Sequence, residues 1–274
     1  MKAGIICDLQ YSRHILFKNY FYAIRSLYEE VQLVNLSEDL EGIEILFIGD
    51  DHYYIHKMIL TQPRFIEKCN SDNIKVVIFT TEKIFNSAFA WNEDNYKILQ
   101  GIKNLQHFTS DVDDCIKLGT VLNRMLISKH FKQLYTQKKD KVAFIGSTGC
   151  DSYKERREII KSLKILIPID IISPTIDSWE KYITTLSQYR FVLSPAGNNN
   201  AFTLRFYEIL LAGSIPIQQV KDNTLKYYDI EAGFDDCIYF QDVNEVPGKI
   251  DNCTMKYSHN QIWLEDYLKN ILND

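Results

Sequence analysis

Short apolar runs alternate with amphipathic segments along most of this chain. Runs rich in Ile, Val and Phe include "AGIICDL", "IEILFIGDD", "IKVVIFTTE", "KVAFIGS", "IPIDIIS" and "RFVLSPAG". They lack strict apolar–polar alternation, which is typical of strands buried on both faces of a parallel sheet. The segments between them, such as "KERREIIKSLKIL" and "LRFYEILLAG", have the period of helices. Alternating strands and helices predict βαβ units and doubly wound parallel sheets.

A polar, lysine-rich segment, "YTQKKDK", divides this pattern into two halves. The strand–helix alternation restarts after it, at Lys141. We therefore predict an α/β protein of two Rossmann-like lobes, residues 1–135 and 136–274, with a hinge near residues 130–140. A long helix from about Asp111 to Tyr135 is predicted to precede the hinge, and an amphipathic helix is predicted to close the chain.

Composition excludes several classes of protein. The 274 residues carry a formal net charge of -5, which argues against a nucleic-acid partner. No apolar run approaches the roughly 20 residues of a membrane span. None of the six cysteines lies in a C-x-x-C pair, so we expect reduced thiols in a cytoplasmic protein, with peripheral attachment to a membrane left open. Neither half opens with G-x-G-x-x-G, which disfavours a Rossmann dehydrogenase.

The densest candidate site is "YRFVLSPAGNNNAFTLRFYEILLAGSIPIQQ", residues 189–219. A buried strand runs into a turn made possible by Gly197, and polar side chains then cap a helix that begins near residue 200 or 203. Helix amides at the carboxyl end of a strand suit a phosphate or a diphosphate. The predicted binding residues in the strand end, turn and cap are Ser194, Pro195, Gly197, Asn198, Asn199, Asn200 and Thr203.

Arg205 and Glu208 lie three residues apart on this helix. Arg205 adds a positive charge in the first turns, and Glu208 is placed to accept hydrogen bonds from the hydroxyls of a ribose. The alternative is an ordinary exposed ion pair one turn apart. Gly213 is predicted to end the helix in the left-handed conformation.

The order of strand, "SPAGN", polar loop and "RFYEILLAGSIPI" resembles the nucleotide-sugar motif of exostosin-like glycosyltransferases. That family shows Pro-x-Gly after a strand, an Arg-aromatic-aromatic-Glu helix, and then Gly-x-Ile-Pro. The resemblance does not extend to residues 1–130. It implies a GT-B fold, in which two Rossmann-like lobes face each other across a cleft. The first lobe would bind the acceptor, the second would bind the nucleotide sugar, and the last helix would cross back to the first lobe.

A second stretch, "FIGSTGCDSYKERREII", resembles the opening of the C-terminal half in the same family. The resemblance implies a donor-site arginine near the start of the helix, which here is Arg156 or Arg157. Gly146 and Ser147 are placed to offer amides and a hydroxyl to a diphosphate. The alternative is an ordinary charged helix start.

The resemblance implies a glycosyltransferase acting in polysaccharide biosynthesis. It would move a hexose or pentose from a nucleoside-diphosphate sugar to a glycan or another hydroxyl acceptor, with inversion and without a metal or other cofactor. The catalytic base is expected in a strand-end loop of the first lobe, where the candidates are Asp8, Asp51, His52 and Glu82. The alternative function is a non-catalytic, two-lobed α/β ligand-binding protein. Nothing in the sequence indicates the oligomeric state.

Overall fold

A computed structural model of the chain describes residues 1–6, 15–34, 40–50, 63–80, 93–122, 124, 126–149, 154–172, 178–196, 202–221, 236–257 and 263–272. The chain divides into two compact units. One contains Met1–Arg124 together with Leu264–Asp274, and the other contains Met125–Trp263. The division falls ahead of the boundary at residue 135 that we drew from the sequence.

The first unit is built on a six-stranded parallel sheet in the order β2-β1-β3-β4-β5-β6. Its strands are β1 (Lys2–Ile6), β2 (Glu30–Leu33), β3 (Ile45–Asp50), β4 (Lys75–Thr80), β5 (Leu105–Thr109) and β6 (Val121–Leu122). Its helices in this part of the chain are α1 (Ile15–Leu27), α2 (Pro63–Ser71), α3 (Glu93–Leu99) and α4 (Val112–Leu118).

The second unit is built on a five-stranded parallel sheet in the order β11-β10-β9-β7-β8. Its strands are β7 (Lys139–Ile145), β8 (Ile169–Ile172), β9 (Tyr189–Ser194), β10 (Ile215–Gln219) and β11 (Ile238–Phe240). Its helices are α5 (Lys154–Leu166), α6 (Trp179–Ser187), α7 (Leu204–Leu211) and α8 (Val246–Asp251). The last helix of the chain, α9 (Leu264–Leu272), belongs to the first unit.

Both faces of the second sheet are covered, as predicted from apolar runs that lack strict apolar–polar alternation. On one face, Phe144 and Phe191 pack with Ile160 and Leu163 of α5. Val192, which points to the other face of β9, is also fully buried. The prediction of two parallel-sheet α/β lobes is confirmed. The pattern was informative because continuous Ile, Val and Phe runs are stable only when helices cover both faces of the sheet.

The long helix expected from Asp111 to Tyr135 is wrong. Asp111 does begin a helix, since its side chain accepts hydrogen bonds from the backbone N–H groups of Asp113 and Asp114. That helix ends at Leu118, because Gly119 takes a left-handed conformation with φ of 65°. The chain then enters β6 and, beyond it, a non-helical segment whose Leu134 N–H donates to the end of α7.

The helices of the described residues are short. The longest among them, α1 and α5, have 13 residues each. At 1.5 Å per residue such a helix spans about 20 Å, against about 30 Å for the hydrocarbon core of a bilayer. Within the part of the chain that the structure describes, no helix is long and apolar enough to cross a membrane.

Candidate functional site

The carboxyl edge of the second sheet collects the described part of the predicted site. Gly146 follows the end of β7, Ser194 ends β9, and Pro195 follows it. Helix α7 begins at the same edge, with Thr203 as its N-cap residue. Open α/β sheets bind ligands at this edge, where the loops and helix amino termini meet.

Arg205, in the first turn of α7, reaches from its helix to the end of β7. Its Cζ lies 5.2 Å from the centroid of the Phe144 ring. A methyl group built on Gly146 would lie only 2.5 Å from Arg205 Nη2, so this approach requires glycine. The Nε atom is buried and has no hydrogen-bond partner among the described residues. The structure therefore holds a half-buried positive charge against the loop after β7.

Glu208 is 7% exposed, which excludes the alternative of a solvated surface pair with Arg205. Trp179 Nε1 donates a hydrogen bond to Glu208 Oε1 at 3.1 Å. Arg205 and Tyr182 lie close enough to Glu208 to influence the charge of its carboxyl. Burial raises the pKa of Glu208, and this outweighs the opposing effects of Trp179, Arg205 and Tyr182. The carboxyl thus has partners within the protein.

Trp179 and Tyr182 were not identified from the sequence. They lie one turn apart on α6, and the Trp179 ring also packs edge-on against Phe131, with 4.8 Å between centroids. Two aromatic side chains three residues apart on a helix are typical of ordinary packing. The sequence signal therefore does not distinguish them from core residues.

Arg156 and Arg157 both hold the loop after β7. Arg156 Nη1 donates to the carbonyl of Ser147 at 3.2 Å, and Arg157 Nη1 donates to the carbonyl of Thr148 at 2.9 Å. In a trans peptide the N–H points opposite to the C=O. The N–H group of Thr148 therefore faces away from Arg156, whereas the Gly149 N–H donates to Ser147 Oγ at 3.4 Å. The orientation of the Thr148 N–H suits an anion on the outer side of the loop.

Several buried polar atoms at this edge have no hydrogen-bond partner among the residues that the structure describes. They are Ser194 Oγ, Thr203 Oγ1, Arg205 Nε and Gln218 Oε1. Ser194 and Gln218 are neighbours in the register of β9 and β10, and Thr203 caps α7 without a side-chain capping bond. Because buried polar groups are normally paired, partners for these atoms are expected from outside the described residues, in the chain or in a ligand.

Other predicted residues lie outside the part of the chain that the structure describes. Among the binding residues these are Gly197, Asn198, Asn199 and Asn200, and among the candidate bases they are Asp8, Asp51, His52 and Glu82. Within the described residues, no group of three or more His, Cys, Asp and Glu is arranged to hold a metal ion. The absence of a metal requirement stays a prediction.

Comparison with known proteins gives matches in structure alone. No protein-family model matches the chain, and no curated protein matches it. The chain is similar to a DNA-modifying beta-glucosyltransferase solved in the presence and absence of its substrate uridine diphosphoglucose. The TM-score is 0.54 at 12% identity, and the match covers 92% of this chain and 88% of that one. An alpha1,3-fucosyltransferase with GDP-fucose also matches, with a TM-score of 0.48 at 12% identity over 100% of this chain and 90% of that one.

The beta-glucosyltransferase likeness concerns the fold. It spans both parallel-sheet units, so the two lobes have the GT-B fold that the sequence predicted. At 12% identity it says nothing of individual residues. Function must therefore be argued from the site itself.

Proposed function

We propose that this protein is a glycosyltransferase that moves a sugar from a nucleoside-diphosphate sugar to a hydroxyl acceptor. The observation that carries the proposal is the Arg205 guanidinium held against Gly146 at the carboxyl edge of the second sheet. The GT-B fold and the resemblance of residues 189–219 to exostosin-like glycosyltransferases support the same reaction class.

The site has the donors that a leaving diphosphate needs. Arg205 supplies a positive charge, the first turn of α7 supplies backbone N–H groups, and the loop after β7 presents the N–H group of Thr148. These groups stabilise the charge that develops as the bond between the anomeric carbon and the phosphate oxygen breaks. The acceptor oxygen forms the new bond to that carbon, its proton passes to a base, and the nucleoside diphosphate leaves.

The finer assignments are parts of the same proposal. Asp8, Asp51, His52 and Glu82 are candidates for the base that takes the acceptor proton. Inversion at the anomeric carbon, a hexose or pentose as the transferred sugar and a polysaccharide acceptor follow from the exostosin-like resemblance. We propose metal-independent transfer because the helix amides and the arginine can neutralise the diphosphate without a metal ion.

Two glycines in one loop supply the experiment. In Gly146→Ala, the new methyl group occupies the place of the Arg205 guanidinium, whose flexible end must move away. In the matched control, Gly149→Ala, the methyl group meets nothing within 4 Å. We expect calorimetric titrations to show that one of UDP, GDP, ADP or CDP binds to the wild type. Gly149→Ala should bind that nucleotide with the same affinity. Gly146→Ala should bind it roughly tenfold or more weakly, as expected when a hydrogen bond to a charged group is lost.

Two outcomes contradict the proposal. Equal affinities of Gly146→Ala and wild type would show that Arg205 does not bind the nucleotide. If wild type bound no nucleoside diphosphate at all, the proposed donor site would be wrong. Turnover separates the enzyme from the alternative, a non-catalytic ligand-binding protein. Wild type should release nucleoside diphosphate slowly from the matching nucleotide sugar even without an acceptor, whereas a binding protein would not.

A further inference from the structure

We propose that Gln219 is a positioning residue of the donor site, and that it holds the loop after β9 to the first turn of α5. The inference rests on the proposed function. The sequence did not single out Gln219, which ends β10 at the same carboxyl edge of the sheet as Gly146 and Ser194.

Gln219 forms hydrogen bonds at both ends of its side-chain amide. Its Oε1 accepts from the backbone N–H of Ala196 at 2.9 Å, and its Nε2 donates to Glu155 Oε1 at 3.3 Å. A backbone N–H can only donate and an ionised carboxylate can only accept, so the two partners fix one orientation of the amide. The side chain therefore bridges the loop after β9, where Ala196 is buried, and the first turn of α5, where Glu155 lies.

Glu155 is held in turn by Lys221. Lys221 Nζ lies 3.1 Å from Glu155 Oε2, so the two carboxylate oxygens have separate partners. The ion pair is partly exposed, and such pairs contribute little stability by themselves. It leaves the other oxygen of Glu155 to Gln219.

The first turn of α5 also holds the loop after β7. Arg156 and Arg157, the two residues that follow Glu155, donate to the carbonyls of Ser147 and Thr148. Strands β7 and β9 are neighbours in the sheet. Three consecutive residues of one helix are therefore connected to the loops that follow two neighbouring strands, and this turn sets the spacing of the two loops.

A fixed spacing matters for a ligand that contacts both loops. Ala196 directly precedes Gly197, which the sequence predicts as a binding residue, and Thr148 offers its N–H on the other loop. A loop that must be ordered on binding gives a lower affinity than one that is already held in place. Gln219 supplies that order on the β9 side, as the supporting residues behind a binding site generally do.

Gln219→Met tests the bridge, because it removes both hydrogen bonds and adds no charge. In calorimetric titrations this variant should bind inorganic pyrophosphate and the best-bound nucleoside diphosphate each about fivefold more weakly than wild type, a factor that corresponds to one ordinary hydrogen bond. Gln188→Met is the matched control, since Gln188 precedes β9 at the opposite edge of the sheet and is exposed. The control should bind both ligands as wild type does.

An exchange of the two side chains tests whether Gln219 acts through Glu155. Gln219→Glu alone brings two carboxylates together and should weaken both ligands more than Gln219→Met does. Adding Glu155→Gln restores one amide and one carboxylate at the bridge, so the double variant should regain most of the wild-type affinity. Glu155→Gln alone should have a small effect, because the new amide can turn its oxygen toward Gln219. The exchange also tests the bridge if Gln219→Met folds poorly.

Several results would overturn the positioning role alone. Unchanged affinities of Gln219→Met, even with a lower melting temperature, would mean that the bridge serves folding only. A weaker nucleoside diphosphate with unchanged pyrophosphate would make Gln219 a contact of the nucleoside. A double variant no better than Gln219→Glu would show that Glu155 is not its partner in binding.

Failure of the proposed function gives a different result. A wild-type protein that binds neither pyrophosphate nor any nucleoside diphosphate would overturn the proposed function and this inference with it.

Discussion

The two units bury polar side chains in different ways. In the first unit, Thr80 Oγ1 and His107 Nε2 are 2.8 Å apart inside the sheet, and burial lowers the pKa of His107 to about 3. That pair is uncharged at neutral pH. In the second unit, the half-buried Arg205 guanidinium lies one helical turn from the buried Glu208 carboxyl at the sheet edge.

The comparison distinguishes a polar pair that is part of the core from a charged group that is suited to bind a ligand. A neutral hydrogen-bonded pair costs little in a core, and this pair carries no charge, although His107 Nδ1 also lacks a partner among the described residues. A charge that is half removed from water is costly, and such groups concentrate at functional sites. The second unit therefore carries the described part of the site, and the first unit carries an ordinary core at His107.

The largest expected effect is on the free energy of unfolding and concerns one glycine in each unit. Each has a helix followed by a glycine in the left-handed conformation, Gly119 with φ of 65° and Gly213 with φ of 64°. A methyl group on Gly119 meets nothing within 4 Å, whereas one on Gly213 would lie 2.6 Å from the carbonyl oxygen of Leu134. In both alanine variants the left-handed conformation lowers the free energy of unfolding by about 1–2 kcal/mol. In Gly213→Ala the total loss should reach roughly 3 kcal/mol or more, because the methyl group also overlaps the carbonyl oxygen. Calorimetric unfolding of both variants checks this, and equal losses would contradict it.

The next effect is on binding and involves two arginines that lie over aromatic rings. Arg205→Ala should weaken nucleoside-diphosphate binding by about 1.5–3 kcal/mol, because a bond to a charged ligand is lost. Arg25 lies 5.9 Å from the centroid of Phe21 in the first unit, and Arg25→Ala should leave the affinity unchanged. Calorimetric titration of both variants makes the comparison. A similar loss in both would show that net charge, and not the position of Arg205, governs binding.

The smallest effect concerns pH and the first unit. Since the pKa of His107 falls from 6.5 in the unfolded chain to about 3 in the folded protein, the unfolded state alone takes up a proton between these values. The contribution of the neutral His107 to the free energy of unfolding is complete above about pH 6.5. It is lost as the pH falls toward 3, and the loss is roughly 2 kcal/mol at pH 5. Denaturation of wild type and His107→Gln at pH 7.5 and pH 5 measures this loss. The variant lacks the titrating group, so a wild type with the same pH dependence as the variant would contradict the buried neutral imidazole.

Local sequence was sufficient for most of the fold. Continuous apolar runs identified most strands of both sheets, since burial on two faces accounts for them, whereas β6 lies inside the residues predicted as a long helix. The limits of α7 were also predicted: its N-cap residue is Thr203, one of the two starts considered, and Gly213 follows its end in the left-handed conformation. The helix predicted beyond Leu118 failed at a single residue, Gly119, whose left-handed conformation outweighed the helical pattern that follows it.

The site shows where local sequence stops being informative. Arg205 was singled out because "RFYEILLAGSIPI" resembles the Arg-aromatic-aromatic-Glu helix and Gly-x-Ile-Pro of exostosin-like glycosyltransferases. The partners of Glu208 were not, since Trp179 lies 29 residues earlier and reaches it only because α6 and α7 pack side by side. Whether Glu208 faces solvent, a ribose or Trp179 depends on that packing. The spacing of charges within one helix is the same in all three cases, so the role of the carboxyl is set by contacts between helices.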